Sequence, residues 1–453
     1  MNPDWLYTHS AVLDAIVGEY SGVPFAFHAI STDTRTLMEG DLFFALSGAN
    51  FDGNDFVEEA LAKGGCAVVC TRHVVQGRCI VVSDVQRAIQ EFAAFHRAQY
   101  DIPVLAITGS CGKTSSKDLT AALLETKFSV VKTQGNFNNE IGCPLSILRT
   151  DATTDFLVLE MGANHPGEVA RLCEIARPTE SVITMIAEAH LEGFGTIEDV
   201  ARAKSEIASG LQQGGRFYVN TDDSRCVDIA TTISGPCVTF GTGGEVSLRS
   251  WEFGDDGDMV IDIDPVGVLR LPIYVPAHIQ NVLLAVAVGL QHGIEDFEAP
   301  LRAACLNASR FKVSMRDGYE IIDDTYNANP ASMAVAIEAL EVRPTTGKRI
   351  AVLGGMGELG PDAPELHYKT GTELGKRGIN RVLVRGPFAE EVIQGARASG
   401  VEDAQLFEGH EEMASALALV IREGDTLLFK GSRGMTMEKV IEHLAEKMGW
   451  SND

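Results

Sequence analysis

The amino-acid sequence predicts an α/β protein of three domains, at residues 1–100, 101–309 and 310–453. Three observations support this prediction. The 453 residues exceed what one hydrophobic core normally serves. Short apolar runs alternate with stretches of helical pattern, which is typical of parallel sheets covered by helices. A glycine-rich turn follows one of these runs near the start of the central domain.

The first domain contains short apolar runs separated by helical segments. Residues 41–46 and 66–69 have the composition of strands, and residues 56–63 between them have a helical pattern. The polar segment 97–103 precedes a new apolar run and marks the end of this domain. We therefore expect a small α/β unit here.

The central domain opens with an apolar run at 104–107, typical of a buried parallel strand, and a helical pattern at 117–126. Further runs at 156–159 and 181–186 predict a parallel sheet with helices on both faces. The segment 241–272 differs, because apolar and polar residues alternate there between glycines and aspartates. This pattern predicts a small antiparallel sheet.

The third domain repeats the alternation of strand and helix. Apolar runs at 349–353, 381–384 and 426–430 are separated by helical segments. This order predicts a Rossmann-like α/β domain.

Composition excludes several classes of protein. The formal net charge of -26 argues against nucleic acid or an anionic membrane as a partner. The longest apolar run, at 282–290, is far shorter than the ~20 residues of a membrane-spanning helix, and the first residues lack the basic start of a secretory signal. Nine cysteines without a CxxC pair indicate reduced thiols. We expect a cytoplasmic monomer.

The strongest local signal is a phosphate-binding loop between the strand at 104–107 and the following helix. It consists of Gly109, Ser110, Cys111, Gly112, Lys113, Thr114 and Ser115. Backbone N–H groups and the helix N-terminus of such a loop hold phosphates, the lysine contacts the outer phosphates, and the threonine binds Mg²⁺. Because Ile107 stands where the common G-x-x-x-x-G-K-[ST] pattern has glycine, the loop is a shortened form. That departure disfavours an ordinary kinase or GTPase.

A carboxylate and an imidazole follow two other predicted strands. Glu160 closes the run at 156–159, and His190 follows the run at 181–186. Ligands of open parallel sheets bind beyond the carboxyl ends of the strands. We therefore expect Glu160 and His190 to hold Mg²⁺ together with the phosphates of ATP.

Several separate motifs resemble those of the Mur ligase family, and the resemblance extends over nearly the whole chain. The motifs are STDTR at 31–35, GDLF at 40–43, NFNNEIGCPL at 136–145, DTYNANP at 324–330 and KGSR at 430–433. The third and fourth are similar to segments of the family member that adds D-alanyl-D-alanine. The chain lacks the D-N-P-R motif of the member that adds a diamino acid.

The resemblance implies an ATP-dependent ligase that activates UDP-N-acetylmuramoyl tripeptide as an acyl phosphate and joins D-alanyl-D-alanine to it. Lys113, Glu160, His190 and Lys204 would be catalytic, with Lys204 carbamylated as a ligand for a second metal ion. The nucleotide would be held by the phosphate loop with Asn281, Arg310 and Asp324. The substrates would contact Ser31, Asp33 and Arg35 in a UDP-binding first domain, and Asn138, Asn139, Tyr326, Asn327, Asn329, Ser432 and Arg433 elsewhere.

Three positions depart from the family pattern. His278 replaces the first asparagine of H-N-x-x-N, Ser309 replaces the glycine of G-R, and Gly355 replaces the aspartate of G-D-M. Two alternatives remain open. The chain could be another Mur or folylpolyglutamate-type ligase with a different amine acceptor, or a module that only hydrolyses or senses ATP. The sequence leaves the third peptide residue, lysine or diaminopimelate, undetermined.

Overall fold

The computed structural model describes residues 5–20, 22–48, 51–74, 78–254, 257–308 and 310–450. Within them the chain forms a five-stranded sheet, two six-stranded sheets, a three-stranded sheet and one two-stranded pair. The α/β class predicted from the sequence is confirmed. No helix of the described residues is long and apolar enough to cross a membrane.

The first sheet has the strand order β2-β7-β6-β5-β4 and is parallel except at β2. Its long helix α3 contacts the central part of the chain, where Gln90 donates to the backbone oxygen of Glu140 at 3.0 Å. The elements are β1 (Tyr7–Thr8), α1 (His9–Ala15), β2 (Gly18–Glu19), β3 (Ala26–Phe27), β4 (Ile30–Ser31), β5 (Leu42–Phe44), α2 (Val57–Ala62), β6 (Ala67–Cys70), β7 (Cys79–Val82) and α3 (Val85–Arg97).

The central sheet has the order β13-β12-β11-β8-β10-β9, and all its strands are parallel. Side chains of one strand alternate between the two faces. Leu105 and Ile107 pack against the helices α4 (Lys113–Leu124) and α10 (Ile279–Gln291). Val104 and Ala106 pack in the core on the opposite face. The predicted sheet with helices on both faces is therefore confirmed.

The segment predicted to be antiparallel forms the separate three-stranded sheet β14-β15-β16. The elements of this part of the chain are β8 (Val104–Thr108), α4 (Lys113–Leu124), β9 (Val130–Lys132), α5 (Gly142–Ile147), β10 (Phe156–Glu160), α6 (Glu168–Ala176), β11 (Glu180–Ile183), α7 (Leu191–Phe194), α8 (Ile197–Ser209), β12 (Arg216–Asn220), α9 (Ser224–Ala230), β13 (Cys237–Phe240), β14 (Ser247–Phe253), β15 (Met259–Asp264), β16 (Gly267–Leu271), α10 (Ile279–Gln291) and α11 (Glu298–Leu306).

The third sheet has the order β17-β18-β22-β19-β20-β21, with only β17 antiparallel. Its elements are β17 (Lys312–Arg316), β18 (Tyr319–Asp324), α12 (Pro330–Val342), β19 (Arg349–Gly354), α13 (Ala363–Lys376), β20 (Arg381–Arg385), α14 (Ala389–Ala398), β21 (Asp403–Phe407), α15 (His410–Val420), β22 (Thr426–Lys430) and α16 (Glu438–Met448).

Two predicted boundaries were wrong. The helix predicted at 117–126 begins four residues earlier, at Lys113, because Gly112 turns the chain directly from the loop into the helix with a φ of +83°. The strand predicted at 181–186 ends at Ile183. The N–H of Thr184 still donates to the backbone oxygen of Thr108 in β8. Beyond it the backbone bonds to other segments: the N–H of Ser110 donates to the backbone oxygen of Met185 at 2.8 Å, and the N–H of Ile186 donates to Asp223 Oδ2 at 2.6 Å.

Candidate active site

A cleft of about 1270 Å³ lies at the carboxyl edge of the central sheet, between that edge and the loops that follow β18 and β22. The phosphate loop lines it together with residues that follow β10, β11 and β12. Of the predicted site residues, the cleft brings together Ser110, Cys111, Gly112, Lys113, Thr114, Ser115, Asn138, Asn139, Glu160, His190, Asn281, Arg310, Asp324, Tyr326, Asn327, Asn329 and Arg433.

Two positions of the phosphate loop require glycine. Gly109 has a φ of +147°, and a Cβ there would lie 1.9 Å from Thr184 Oγ1. A Cβ on Gly112 would lie 2.6 Å from Asn281 Oδ1. Such close approach by neighbouring groups is tolerated only without a side chain. Lys113 Nζ donates to the backbone oxygen of Gly109 at 2.6 Å, so its cation lies back over the loop.

Glu160 is a buried carboxylate beside this loop, with 1 % of its surface exposed. Its Oε2 accepts a hydrogen bond from Thr114 Oγ1 at 2.9 Å, and its Oε1 accepts one from Asn138 Nδ2 at 2.7 Å. Lys117 Nζ lies 3.8 Å from Oε2. A carboxylate beside a hydroxyl is an oxygen donor set that suits Mg²⁺ in a phosphate-transfer site.

His190 lines the same cleft, and it contacts Glu358, in the loop after β19, rather than Glu160. Its Nδ1 is hydrogen-bonded to Glu358 Oε2. Burial lowers the pKa of His190, and the Glu358 carboxylate opposes that effect. Among the described residues no three His, Cys, Asp or Glu side chains are grouped as a protein-only metal cage would need. Glu160 and His190 thus line one cleft, and their joint role as Mg²⁺ ligands stays a prediction.

Lys204, on α8, is buried with 1 % exposure. Its ammonium lies 5.9 Å from the centre of the Phe194 ring. Burial, and secondarily the charge of Lys113, lowers its pKa from 10.5 to about 7. Burial also lowers the pKa of Lys113, whereas Glu160 opposes this effect. Lys204 is not among the residues that line the cleft.

Residues of the third sheet's loops contact the phosphate loop directly. Asn329 donates from Nδ2 to the backbone oxygen of Ser110 at 3.4 Å and accepts from Cys111 Sγ at 3.3 Å. The same side chain caps the N-terminus of α12, accepting from the Ser332 N–H. The Arg310 guanidinium lies 3.9 Å above the Tyr326 ring, within the range of a cation–π interaction.

Asp324 and Asn327 are tied to the K-G-S-R segment. Lys430 Nζ lies 2.5 Å from Asp324 Oδ2 and 2.9 Å from the backbone oxygen of Asn327. Lys430 is 1 % exposed. The pair therefore fixes the loops that follow β18 and β22 against each other at the edge of the cleft.

A polar rim that sequence reasoning missed lies at the end of β12. Asn220, Asp222 and Asp223 line the cleft with Gln280, whose amide bonds to Asp222. The signal was available, because these residues follow an apolar strand at the same sheet edge as Glu160. Asn281, which was predicted, accepts from Ser116 Oγ at 3.0 Å.

The predicted first-domain residues and Ser432 do not line this cleft. Ser31, Asp33 and Arg35 lie on the first sheet side, where Asp33 and Arg35 form an exposed ion pair at 2.6 Å. Ser432 Oγ donates to the backbone oxygen of Gly355 at 2.8 Å. Its hydroxyl therefore supports a loop in this structure instead of facing the cleft.

The three departures from the family pattern have different outcomes. A Cβ on Gly355 would lie 2.8 Å from the backbone oxygen of Pro387, so an aspartate has no room without a shift of this loop. His278 lines the cleft, with its ring edge-to-face on Phe311 at 5.1 Å. Ser309 lies outside the described residues.

Three family models match consecutive parts of the chain. They are the Mur ligase family catalytic domain at residues 26–107, the Mur ligase middle domain at 107–289 and the Mur ligase glutamate ligase domain at 309–433. The chain is 34 % identical to the UDP-N-acetylmuramoyl-tripeptide--D-alanyl-D-alanine ligase of Escherichia coli, over 97 % of this chain and 98 % of that one. The ligase of the same name from Bacillus subtilis is also 34 % identical, over 92 % and 93 % of the two chains.

Solved structures agree with these matches. MurF from Acinetobacter baumannii superposes with a TM-score of 0.88 at 28 % identity, covering 98 % of this chain and all of that one. MurF ligase from Thermotoga maritima in complex with ADP superposes with a TM-score of 0.83 at 31 % identity, covering 93 % and 98 %. The fold is therefore shared with these proteins over nearly the whole chain.

Proposed function

The chain belongs to the Mur ligase family, and we propose that it joins D-alanyl-D-alanine to UDP-N-acetylmuramoyl tripeptide with consumption of ATP. The names of the full-length relatives support this choice of substrates. The observation that carries it in the structure is the meeting of three elements in one cleft: the phosphate loop, the buried carboxylate of Glu160, and Asn329 from the opposite side.

The reaction needs positioning and charge neutralisation more than covalent catalysis. The terminal carboxylate of the tripeptide attacks the γ-phosphate of ATP, and ADP leaves. The amine of D-alanyl-D-alanine then attacks the acyl carbon of the acyl phosphate, and inorganic phosphate leaves with formation of the amide. Lys113, whose Nζ donates to a loop carbonyl here, can exchange that carbonyl for a phosphate oxygen. Mg²⁺ held by Thr114 and Glu160 would neutralise phosphate charge during transfer.

Lys204 is proposed to act as a carbamate. A neutral amine adds to CO₂ and releases one proton, which converts a cation into a carboxylate-like ligand. With a pKa of about 7, about half of the Lys204 side chains are neutral at neutral pH. This is the state that the reaction with CO₂ requires.

The remaining assignments follow the same family logic. We assign the uridine nucleotide to the first domain (1–100), with Ser31, Asp33 and Arg35. The adenine nucleotide belongs to the central domain (101–309), with Asn281, Arg310 and Asp324 at its edge. The third domain (310–453) delivers the dipeptide through Tyr326, Asn327, Asn329, Ser432 and Arg433, while Asn138 and Asn139 face the tripeptide. The enzyme is assigned to the cytoplasm as a monomer.

The test is phosphate release from ATP with Mg²⁺ and UDP-N-acetylmuramoyl tripeptide, with and without D-alanyl-D-alanine, together with the mass of the product. Release that needs both substrates, with a product heavier by one dipeptide less water, supports the proposal. Release that needs another amine changes the substrate and keeps the ligase. Release without any acceptor overturns the proposal in favour of an ATPase.

A further inference from the structure

Glu358 lies in the loop after β19 and reaches across to the central sheet. It is 55 % exposed at its side chain, it does not line the cleft, and its φ is +60°. His190, its partner, has a φ of +53°. Both residues thus adopt the left-handed conformation, which is disfavoured for a residue with a side chain. Such strain persists only where surrounding structure holds it, and it is frequent at functional sites.

The two strained residues are joined by both side chain and backbone. Glu358 Oε2 bonds to His190 Nδ1, and the backbone oxygen of Glu358 accepts from the N–H of Glu192 at 3.1 Å. Leu191 and Leu359 on the two segments are buried in one hydrophobic cluster, at 6 % and 2 % exposure. The contact is therefore a packed junction rather than a chance surface pair.

Each side of the junction is held by its own part of the protein. On the central side, a Cβ at Gly193 would lie 2.1 Å from the backbone oxygen of Asn164, so this turn is pressed against the chain after β10. On the other side, the N–H of Met356 donates to Nε2 of the buried His367 at 2.9 Å. Neither segment can rotate freely, so the position of Glu358 determines the position of the imidazole.

The chemistry of the pair determines the tautomer of His190. A carboxylate only accepts hydrogen bonds, so Nδ1 must carry a proton. In the neutral ring the lone pair then lies on Nε2. A ring whose other nitrogen is fixed in this way is oriented and made more basic as a ligand or proton acceptor.

We propose that Glu358 is a positioning residue, which orients His190 from the third sheet and makes its working tautomer depend on the docking of that sheet. The expected change in kcat rests on the proposed ligase function. The contact of Glu358 with His190 links the loop after β19 to an imidazole that lines the cleft. The active arrangement then exists only in the docked enzyme.

The experiment compares Glu358→Ala and Glu358→Gln with Glu365→Ala and Glu365→Gln. Glu365 is a matched control, because it is an exposed carboxylate of α13 that pairs with Lys369 at 2.8 Å, away from the cleft. The first readout is independent of catalysis. Full-length protein with ¹⁵N-labelled histidine has eleven imidazoles, and the His190 signals are assigned from a His190→Gln variant. We expect the Nδ1–H tautomer in the wild type and in Glu358→Gln, and a shift toward the free-histidine equilibrium in Glu358→Ala.

The second readout is the separation of kcat from KM. Loss of a partner that orients a functional histidine typically costs about 10- to 100-fold in activity, so we expect that loss in kcat for Glu358→Ala with KM for ATP unchanged. Glu358→Gln should recover part of it, because its amide oxygen still accepts. An unchanged tautomer or a wild-type kcat in Glu358→Ala overturns the inference. If Glu358→Ala does not fold, the other ten imidazole signals will reveal it, and Glu358→Gln then provides the test. A wild-type kcat together with a lost Nδ1–H tautomer in Glu358→Gln overturns the inference. If the wild-type enzyme forms no amide product, the proposed ligase function is refuted. The tautomer of His190 still tests its contact with Glu358 in that case.

Discussion

Replacement of the buried Lys204 by methionine should stabilise α8 at low pH and lose that advantage as the pH rises. The lysine is 1 % exposed, and burial lowers its pKa from 10.5 to about 7. Between these two values the unfolded chain binds a proton that the folded chain does not. The stability of the wild type therefore rises with pH in this window, and the penalty for a buried cation is fully present below about pH 7.

The size of the effect follows from the two pKa values. At about 1.4 kcal/mol per pKa unit, the penalty is about 5 kcal/mol at pH 6 and about 2 kcal/mol at pH 9. The first figure is a ceiling, because relaxation and water penetration reduce the cost of a buried charge. Methionine has nearly the same length as lysine without its charge and fills the space beside Phe194.

The assay is native-state hydrogen exchange of α8 peptides between pH 6 and 9 in CO₂-free buffer, so that no carbamate forms. We expect the free energy of opening to be several kcal/mol higher in Lys204→Met than in the wild type at pH 6. The difference should fall by about 1.4 kcal/mol for each pH unit above 7. Peptides of α14, a helix that packs on the third sheet, serve as internal controls. A difference that stays constant from pH 6 to 9, or a more stable wild type at pH 6, would refute the reasoning.

Substitutions at three further positions test the cleft and a loop near it. Asn329→Ala removes both a helix cap, worth about 1 kcal/mol, and the contact with Ser110, whereas Asn329→Ser keeps the cap. Both variants should lower the initial rate of amide formation, but only Asn329→Ala should lower the unfolding temperature in calorimetry. A fully active serine variant would contradict the role of the contact. Gly355→Asp should destabilise the protein by about 1–3 kcal/mol, since its Cβ meets the backbone oxygen of Pro387 at 2.8 Å; an unchanged thermal midpoint would show that the loop relaxes. Glu160→Gln should raise the Mg²⁺ concentration for half-maximal rate at least about 10-fold, and an unchanged midpoint in the metal titration would exclude Glu160 as a ligand.

The parts of the site that the sequence predicted are those determined by local pattern. An apolar strand followed by glycines and Lys-Thr specifies a phosphate loop, because strand, turn and helix N-terminus are consecutive in the chain. Glu160 could be placed for a similar reason, since it ends an apolar strand and parallel strands end at one edge. The antiparallel sheet at 247–271 was predicted because alternation of apolar and polar residues is also a local signal.

The parts that could not be predicted depend on contacts between distant segments. His190 and Glu358 are separated by 168 positions, and nothing in the residues around either one indicates the other. Asn329 is a helix cap by its sequence context, and only the docked structure shows that it also reaches the phosphate loop. The early end of β11 has the same origin, because from Met185 onward the backbone bonds to Ser110 and Asp223 instead of to a neighbouring strand.

The cleft is much closer to neutral than the chain as a whole, because lysine and arginine side chains line it together with carboxylates. The protein carries a formal net charge of -26, and its proposed substrates are anions. At physiological ionic strength the Debye length is about 8 Å, so the long-range repulsion between them is largely screened. At the phosphate loop, Lys113 interacts with the buried carboxylate of Glu160, and Nζ of the buried Lys117 lies 3.8 Å from Glu160 Oε2. Because charges shielded from water interact more strongly, these two lysines should contribute more to the binding of a triphosphate than exposed cations would. Carbamylation of the buried Lys204 would replace a cation that interacts with Lys113 by an anion, so the modification that creates a metal ligand would also increase the negative charge that Mg²⁺ must balance.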